Sequence, residues 1–443
     1  MTVLDADAPR AIATERVAAL AERFPDLGPG DALRPAPPLA RAIEQEVRRR
    51  WLTLEAVLAS VLDRSEPRRL EPRLRSVLLV GAAQLLLLEG EPDHAVVDEA
   101  VSWASARIRR GAGSLANAVL RRVASLRAER LPAADPSVRA FHDRRDLIPL
   151  ADGSAWRLAS PILPEEPIDR LAAQTSHGRE LLLHWTSAHG FAATVRLAAH
   201  GLMVPPLVVA GELGEDPRLA PHDRGGFRIW TGPIDELAGF LARHPAARVQ
   251  DPGSAAPVEA TRMLRPRRIL DLCAGRGTKT RQLAAIHPDA EIVAVEPNER
   301  RRRDLEALAA GELAGRLRVL PQSRLAELAG SIDLALLDVP CSNTAVLPRR
   351  PEARYRFSRR SLEELARLQR DIAVAASPLL APSGAVLYAT CSLEPAENER
   401  QAAWIADRLD RPRRAAEVRL PKGVPGEEPR HYEDGGFHAL LGG

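Results

Sequence analysis

From about residue 251 onward the chain repeats one pattern. Short apolar runs, "RRILDLC", "AEIVAVE", "IDLALLDVP" and "GAVLYATC", alternate with helical segments beginning near Lys279, Glu299 and Ser361. Runs of this length between turn residues read as buried strands, and strands that alternate with helices form a parallel, doubly wound sheet. Ser361 with Glu364 three residues on makes a capping box, which marks the last helix start. Ligands of such sheets bind beyond the carboxyl ends of the strands, so the informative residues are those where each strand stops. These ends read "DLCAGRGTKT" (Asp271 to Thr280), Glu296, "DVPCSNT" (Asp338 to Thr344) and "ATCS" (Ala389 to Ser392).

All three cysteines of the chain, Cys273, Cys341 and Cys391, stand at these ends. An odd number of cysteines without a CxxC pair makes neither a disulfide framework nor a zinc site, and the histidines lack metal-ligand spacing. No metal is expected, and a reducing cytoplasm fits best. The amino-terminal stretch carries Asp5, Asp7 and Glu15 and no uninterrupted apolar run, which argues against a secretory signal. The longest apolar run, Val77 to Leu88, contains Gln84 and is too short to span a bilayer. Lysine is nearly absent: of 62 basic residues only Lys279 and Lys422 are lysine, so position 279 retains a compact ammonium in a chain otherwise built with arginine.

Upstream the texture changes. Residues 1 to about 37 end in the Pro- and Gly-dense "GPGDALRPAPP" and read as a linker or ordered arm. Residues 38–135 read as an all-helical domain: Leu54, Val57, Leu58 and Val61 recur at helical spacing, "LRSVLLVGAAQLLLLEG" suits a buried helix, and "DEAVSWASARI" and "SLANAVLRRVASL" continue the pattern. Between Val101 and Arg130 lie Arg107, Arg109, Arg110, Arg121, Arg122, Arg127 and Arg130 against the single acid Glu129. Such a stripe suits an RNA backbone, and a solvated helix face suits it equally. Residues 136–250 mix a helical "HGRELLLHWTSAHG" with strand-like "FAATVRLAA" and "GGFRIWTG", giving a small α+β module.

The first strand end is a glycine-bearing turn into a helix, where backbone N–H groups can cradle an anionic or carboxylate-bearing ligand, and Glu296 ends the next strand where an acid can accept from a ribose diol. Together they suggest an adenosine cofactor. The turn is neither a GxGxxG nor a Walker loop, which disfavours a dinucleotide or a triphosphate. The third and fourth ends offer a carboxylate and two thiols. Cytosine C5 is a poor nucleophile, but addition of a thiolate to C6 makes the ring enamine-like. An acid at N3 then stabilises the developing charge, and a base removes the C5 proton.

On these motifs the sequence resembles the RsmB-type branch of the RNA 5-methylcytosine methyltransferases. The resemblance rests on "DLCAGRGTKT", "AVEPNE", "LLDVPCSNTAVLPRRPEARYR", "YATCSLEPAENE" and the closing "DGGFHALL", and extends upstream through "PDHAVVDEAV" and "LANAVLRR", which look like a NusB-like RNA-binding domain. It implies a multidomain chain: an all-α NusB-like domain, the α+β module, and a Rossmann-like α/β class I methyltransferase domain over 251–443. It implies S-adenosylmethionine as cofactor and RNA, with a 16S ribosomal cytosine as usual substrate, as partner of a monomeric enzyme. By position, Cys391 matches the nucleophile, Cys341 the cysteine that assists product release, Asp338 the acid that hydrogen-bonds cytosine, and Lys279 its lysine neighbour. Cys273, Ala274, Gly275, Gly277, Lys279, Glu296, Ser323 and Asp338 fall at cofactor positions, and Pro340, Ser342, Arg350 and Arg354 at substrate positions.

The chain departs from the family pattern mainly in the cofactor turn. Arg276 adds a positive charge near a sulfonium, and Thr278 adds a Cβ where close backbone approach or a positive φ is expected. Only Gln322 and Ser323 stand where an acid usually faces the adenine, and Asn343 and Ala345 replace usual glycines. Two rival readings stay open at this stage: a non-catalytic RNA-binding or ribosome-assembly protein of the same fold, and an enzyme of the same type acting on tRNA or DNA.

Overall fold

The computed structural model describes residues 8–28, 35–62 and 66–442. The chain divides into two compact units: Met1–Val204 with Leu347–Ser358 and Val424–Glu427, and Pro205–Val346 with Arg359–Gly423 and Glu428–Gly443.

The first unit is built on five helices: α1 (Pro9–Ala21), α2 (Pro38–Val61), α3 (Pro72–Leu87), α4 (Asp93–Arg107) and α5 (Arg110–Leu126). Proline opens α1, α2 and α3, where its missing N–H costs nothing because first-turn donors have no intrahelical acceptor. Every residue of α3 from Leu74 to Leu86 is buried, which accounts for its continuous apolar run, and α1, α2, α4 and α5 all pack on it.

A linker or an ordered arm is expected over residues 1–37. Where it is described, it holds α1, whose Ala13, Val17 and Leu20 are buried in one core with Leu54 and Leu78. An alanine-rich helix shows little apolar contrast along its sequence, so its periodicity is weak.

After α5 comes a three-stranded antiparallel sheet of β1 (Arg127–Leu131), β2 (Leu147–Pro149) and β3 (Ala155–Leu158), in the order β1-β3-β2. Helices Pro167–Thr175, Arg179–His189 and Phe191–Gly201 follow. The last of these overturns the strand expected at "FAATVRLAA". The alternation of Thr194, Val195, Arg196 and Leu197 imitates a strand, but burial of Thr194, Val195, Leu197, Ala198 and Gly201 follows a helical face. The expected module over 136–250 is likewise divided, since its first part to Val204 belongs to this unit and the rest to the second.

In the second unit a small antiparallel sheet comprises β4 (Val208–Ala210), β5 (Leu219–Pro221), β6 (Phe227–Trp230) and β7 (Arg248–Val249). The main sheet has seven strands: β8 (Arg268–Asp271), β9 (Glu291–Ala294), β10 (Leu317–Val319), β11 (Ile332–Asp338), β12 (Leu380–Thr390), β13 (Arg413–Arg419) and β14 (Gly436–Gly442). Their order is β10-β9-β8-β11-β12-β14-β13. Strands β8 to β12 pair in parallel with one another as expected, while β14 runs antiparallel to both β12 and β13.

Alternate residues of these strands enter two separate cores. Leu270, Val293, Leu337 and Val386 pack with Ala373, Ala376, Ala402 and Ile405 from helices Arg359–Ala376 and Glu399–Leu409. Ile269, Ile292, Leu336 and Leu387 pack with Leu283 and Leu305 from helices Thr278–Ile286 and Glu299–Ala310. A sheet covered on both faces needs apolar residues at every strand position, which is why these strands read as continuous runs. Helix Arg359–Ala376 begins two residues before the expected start, which puts Ser361 in its first turn rather than at the cap. Strand order reverses between β8 and β11, so the ends of β8, β11 and β12 are neighbours at a topological switch point.

Candidate active site

Strand β8 ends at Asp271, whose Oδ2 accepts the Thr280 hydroxyl at 2.7 Å and ties the strand to the helix that follows. Leu272 N–H donates to the Leu336 carbonyl and Ala274 N–H to the Val295 carbonyl, both at 3.1 Å, so the turn is fastened to the neighbouring strands on either side. The turn needs the left-handed region twice, at Gly275 (φ +58°) and Gly277 (φ +85°). Both positions are glycine, and Thr278 begins the helix itself with Gly277 as its cap. The Cβ of Thr278 therefore falls outside the strained part of the turn. Arg276 forms an ion pair with Asp304 at 3.3 Å, so its charge has a partner on helix Glu299–Ala310. Burial pushes the Asp271 carboxyl up to about 7, partly offset by the Thr280 hydrogen bond. Burial also raises the Cys273 thiol, with the nearby carboxylates of Asp271, Asp338 and Glu296 adding to it, which makes this third cysteine an inert one.

Glu296, beyond β9, is buried and accepts the Asn298 N–H at 2.8 Å through Oε1, while Oε2 lies 4.0 Å from Arg301. Ser323 is exposed in the short 3-10 helix Gln322–Leu328 that follows β10. Asp338, the last residue of β11, pairs with Lys279 Nζ at 2.7 Å. Burial alone would lower the Lys279 ammonium, but the charge and hydrogen bond of Asp338 outweigh it and raise it. Lys279 is thus held as a cation against this carboxylate.

The two remaining cysteines meet. Cys341 Sγ and Cys391 Sγ are 3.2 Å apart, and Cys391 Sγ is 3.3 Å from Asn343 Oδ1. Asn343 adopts φ +61° and its side-chain amide closes on the Cys341 carbonyl at 2.7 Å. Asparagine tolerates this conformation better than any other non-glycine residue, so it serves where glycine was expected. Ala345, at the other such position, donates its N–H to the Cys391 carbonyl at 3.1 Å and needs no positive φ. Cys341 is buried and Cys391 partly open. The hydrogen bond with Cys391, then burial, then the charges of Cys391 and Glu397 raise the Cys341 thiol well above its usual range.

Beneath the thiols is a polar network that the sequence did not single out. Glu397 is fully buried and its carboxylate accepts the Ser342 N–H at 3.0 and 3.2 Å, the Ser342 hydroxyl at 2.5 Å and Gln369 Nε2 at 3.0 Å. Gln369 also donates to the Pro340 carbonyl at 3.0 Å, and the Tyr388 hydroxyl donates to the Glu397 carbonyl at 2.6 Å. Asn398 bridges Thr390 Oγ1 at 2.6 Å and the Ser392 carbonyl at 2.9 Å. The only sequence signal for this support is an acid and an amide six and seven residues past Cys391, within "YATCSLEPAENE".

Pro340 and Ser342 are therefore members of the thiol-bearing loop, and Ser342 is spent on Glu397. Arg350 is exposed and Arg354 is not: both belong to the segment that packs in the first unit. Arg354 is 1% exposed and donates to the carbonyls of Arg49 at 2.9 Å, Gly201, and Leu347 at 3.5 Å, so the substrate contact expected of it is replaced by a structural one. Among the described residues no three His, Cys, Asp or Glu side chains gather as metal ligands, and no helix is long and apolar enough to cross a membrane.

Residues 262–423 match the family model described as 16S rRNA methyltransferase RsmB/F, and residues 8–125 match the NusB family. A relative from Mycobacterium tuberculosis (strain H37Rv), named as a methyltransferase without a stated substrate, is 31% identical over 380 residues, covering 81% of this chain and 75% of its own. This chain belongs to the RsmB/F methyltransferase family. The Xanthomonas campestris ribosomal RNA small subunit methyltransferase B is 29% identical to this RsmB/F member over 381 residues, 82% of this chain and 78% of its own. The crystal structure of PH0851 shares the fold, with a TM-score of 0.69 and 18% identity over 98% of this chain and 99% of that one. As a methyltransferase of this family the protein takes S-adenosylmethionine as its cofactor, and the residues present fit it. A Cβ added at Gly275 would meet no atom within 4 Å, which leaves the turn open to a ligand, and an acid ends the next strand.

Proposed function

We propose that the protein methylates C5 of a cytosine in small-subunit ribosomal RNA through a covalent bond between Cys391 and C6. The observation that carries this reading is the pair of thiols 3.2 Å apart, on a sheet whose adjoining strand ends also bring Lys279 and Asp338 together. The Cys391 thiolate forms a bond to C6 and the C5=C6 electron pair moves toward C5. Asp338, oriented by Lys279, accepts from the cytosine amino group, and the pair holds the proton needed at the N3 edge as charge develops there. Bound S-adenosylmethionine, held by the turn Cys273–Gly277 with Glu296 and Ser323 beside it, supplies an electrophilic methyl group. Cys341, once ionised, takes the C5 proton. The C5–H pair restores C5=C6 as the C6–S bond breaks, and Cys391 leaves as a thiolate. Free thiols in this role suit a reducing cytosol.

The helical domain is assigned the delivery of RNA. Arg107, Arg109 and Arg110 are exposed at the corner between α4 and α5, without an ion pair among the described residues. Arg109 caps α5 and Arg110 opens it, where the helix dipole disfavours a cation. Arg107, in the last turn of α4, suits that helix's dipole, but Arg109 and Arg110 are best accounted for by phosphates outside the protein, with Arg107 beside them. The relatives named for small-subunit ribosomal RNA support that substrate.

Denaturing gels with target RNA and cofactor test the chemistry. Cys341→Ala should accumulate an RNA–protein adduct, and Cys391→Ala should form none and lose turnover. An adduct on Cys391→Ala would reverse the assignment.

A further inference from the structure

Two neighbouring thiols pose a problem that the proposed chemistry does not solve by itself: only one of them should attack cytosine. Both can add to an electron-poor carbon, and the difference between them must come from their surroundings. Cys391 is partly open and touches a neutral amide, Asn343 Oδ1. Cys341 is buried, and the residue after it is bound through N–H and hydroxyl to the Glu397 carboxylate.

Resting on the reading of Cys391 as nucleophile, we propose that Glu397 is a positioning residue that fixes this division of labour, by anchoring the Cys341 loop over a buried negative charge. Burial raises the Glu397 carboxyl, but it accepts from three donors at once, Ser342 N–H, Ser342 hydroxyl and Gln369 Nε2, each of which favours the ionised form. An amide of the same size has a single acceptor oxygen and would turn a donor against at least one of them. Held there, the Glu397 charge adds to what opposes ionisation of Cys341. The hydrogen bond with Cys391 and burial oppose it more strongly still. When Cys391 bonds to C6 its hydrogen bond and charge are withdrawn from Cys341, while burial and Glu397 continue to oppose ionisation. Cys341 is thus easier to ionise after the adduct has formed, when a base is needed.

The test reads the thiols directly, without RNA or cofactor. The full-length protein is alkylated with iodoacetamide across pH 6.5–9.5, and each cysteine is followed by peptide mass spectrometry. Wild type should label Cys391 first and Cys341 slowly. Glu397→Gln, checked for native melting, should speed Cys341 at least about tenfold near pH 8, equivalent to a displacement of its titration by about one pH unit. Glu397→Asp, which keeps the charge, should restore most of the wild-type order. An unchanged order and pH profile in a folded Glu397→Gln protein overturns the proposal, and so does loss of the fold in both variants, which would make Glu397 a packing residue. A wild type that labels Cys341 first would instead sink the reading of Cys391 as nucleophile, so the two failures are distinguishable.

Discussion

At the scale of single residues, the site depends on charges placed where water cannot relax them. Asp271 is the clearest case. It is buried under the cofactor turn with one hydroxyl partner, and its carboxyl is raised to about 7 from an ordinary 3.8. A folded-state value above the unfolded one means the native state holds its proton longer, so this group's contribution is fully present below pH 4 and is lost as pH rises through 7. Asp271→Asn should therefore flatten the decline in melting temperature between pH 5 and 8, measured by calorimetry in matched buffers; an undiminished slope would contradict the raised value. The cysteines were legible at this scale because they all sit where strands stop. Glu397 was not, because an acid in a polar loop looks the same in sequence whether it faces water or a buried serine.

At the scale of elements, the turn from β8 into helix Thr278–Ile286 separates two uses of glycine. Gly275 and Gly277 both adopt positive φ, but a Cβ at Gly277 would come within 2.9 Å of Leu305 while one at Gly275 meets nothing. Gly275→Ala should cost about 1–2 kcal/mol of stability from backbone strain alone and weaken S-adenosylmethionine binding by calorimetry. Gly277→Ala should cost more, since it adds a clash with the core. Equal melting of the two variants would refute the distinction.

The corner of α4 and α5 gives a second test at this scale. If Arg107, Arg109 and Arg110 each meet a phosphate, replacing all three with alanine should lower the salt dependence of RNA binding by about two to three in log–log slope. The melting curve should be unchanged, and a lower affinity with an unchanged slope would argue against phosphate contact. Periodicity revealed the buried strands and α3 because their apolar runs are long. It missed α1, whose alanines offer no contrast, and it misread Phe191–Gly201, whose short alternation fits two periods at once.

At the scale of the molecule, the order of the sequence and the order of the units are different things. A reading along the chain expects a boundary at 250, because a regular alternation of strands and helices begins there, yet Leu347–Ser358 returns to the first unit from within the second. The physical ties are side chains that no local pattern announces. The Tyr355 hydroxyl donates to the Arg48 carbonyl at 2.7 Å, the Arg354 carbonyl accepts from Gly178 N–H at 3.0 Å, and the Arg354 guanidinium donates to the carbonyls of Arg49 and Gly201. A fragment of residues 205–443 should keep its sheet but leave residues 347–358 without these partners. Hydrogen exchange should be fast in that segment of the fragment and slow in the full chain; equal protection in both would mean the segment holds itself.

The excursion of Leu347–Ser358 also constrains inheritance. It begins one residue after Val346, the end of the stretch that carries Asp338 and Cys341, and the chain re-enters the second unit at Arg359. A recombination crossover between residues 205 and 346 would pair a helical domain from one parent with a returning segment from another, whose contacts evolved against different carbonyls. Chimeras exchanged at that junction inherit mismatched halves of one interior, so the two units of this chain are expected to be passed on together rather than shuffled as independent cassettes.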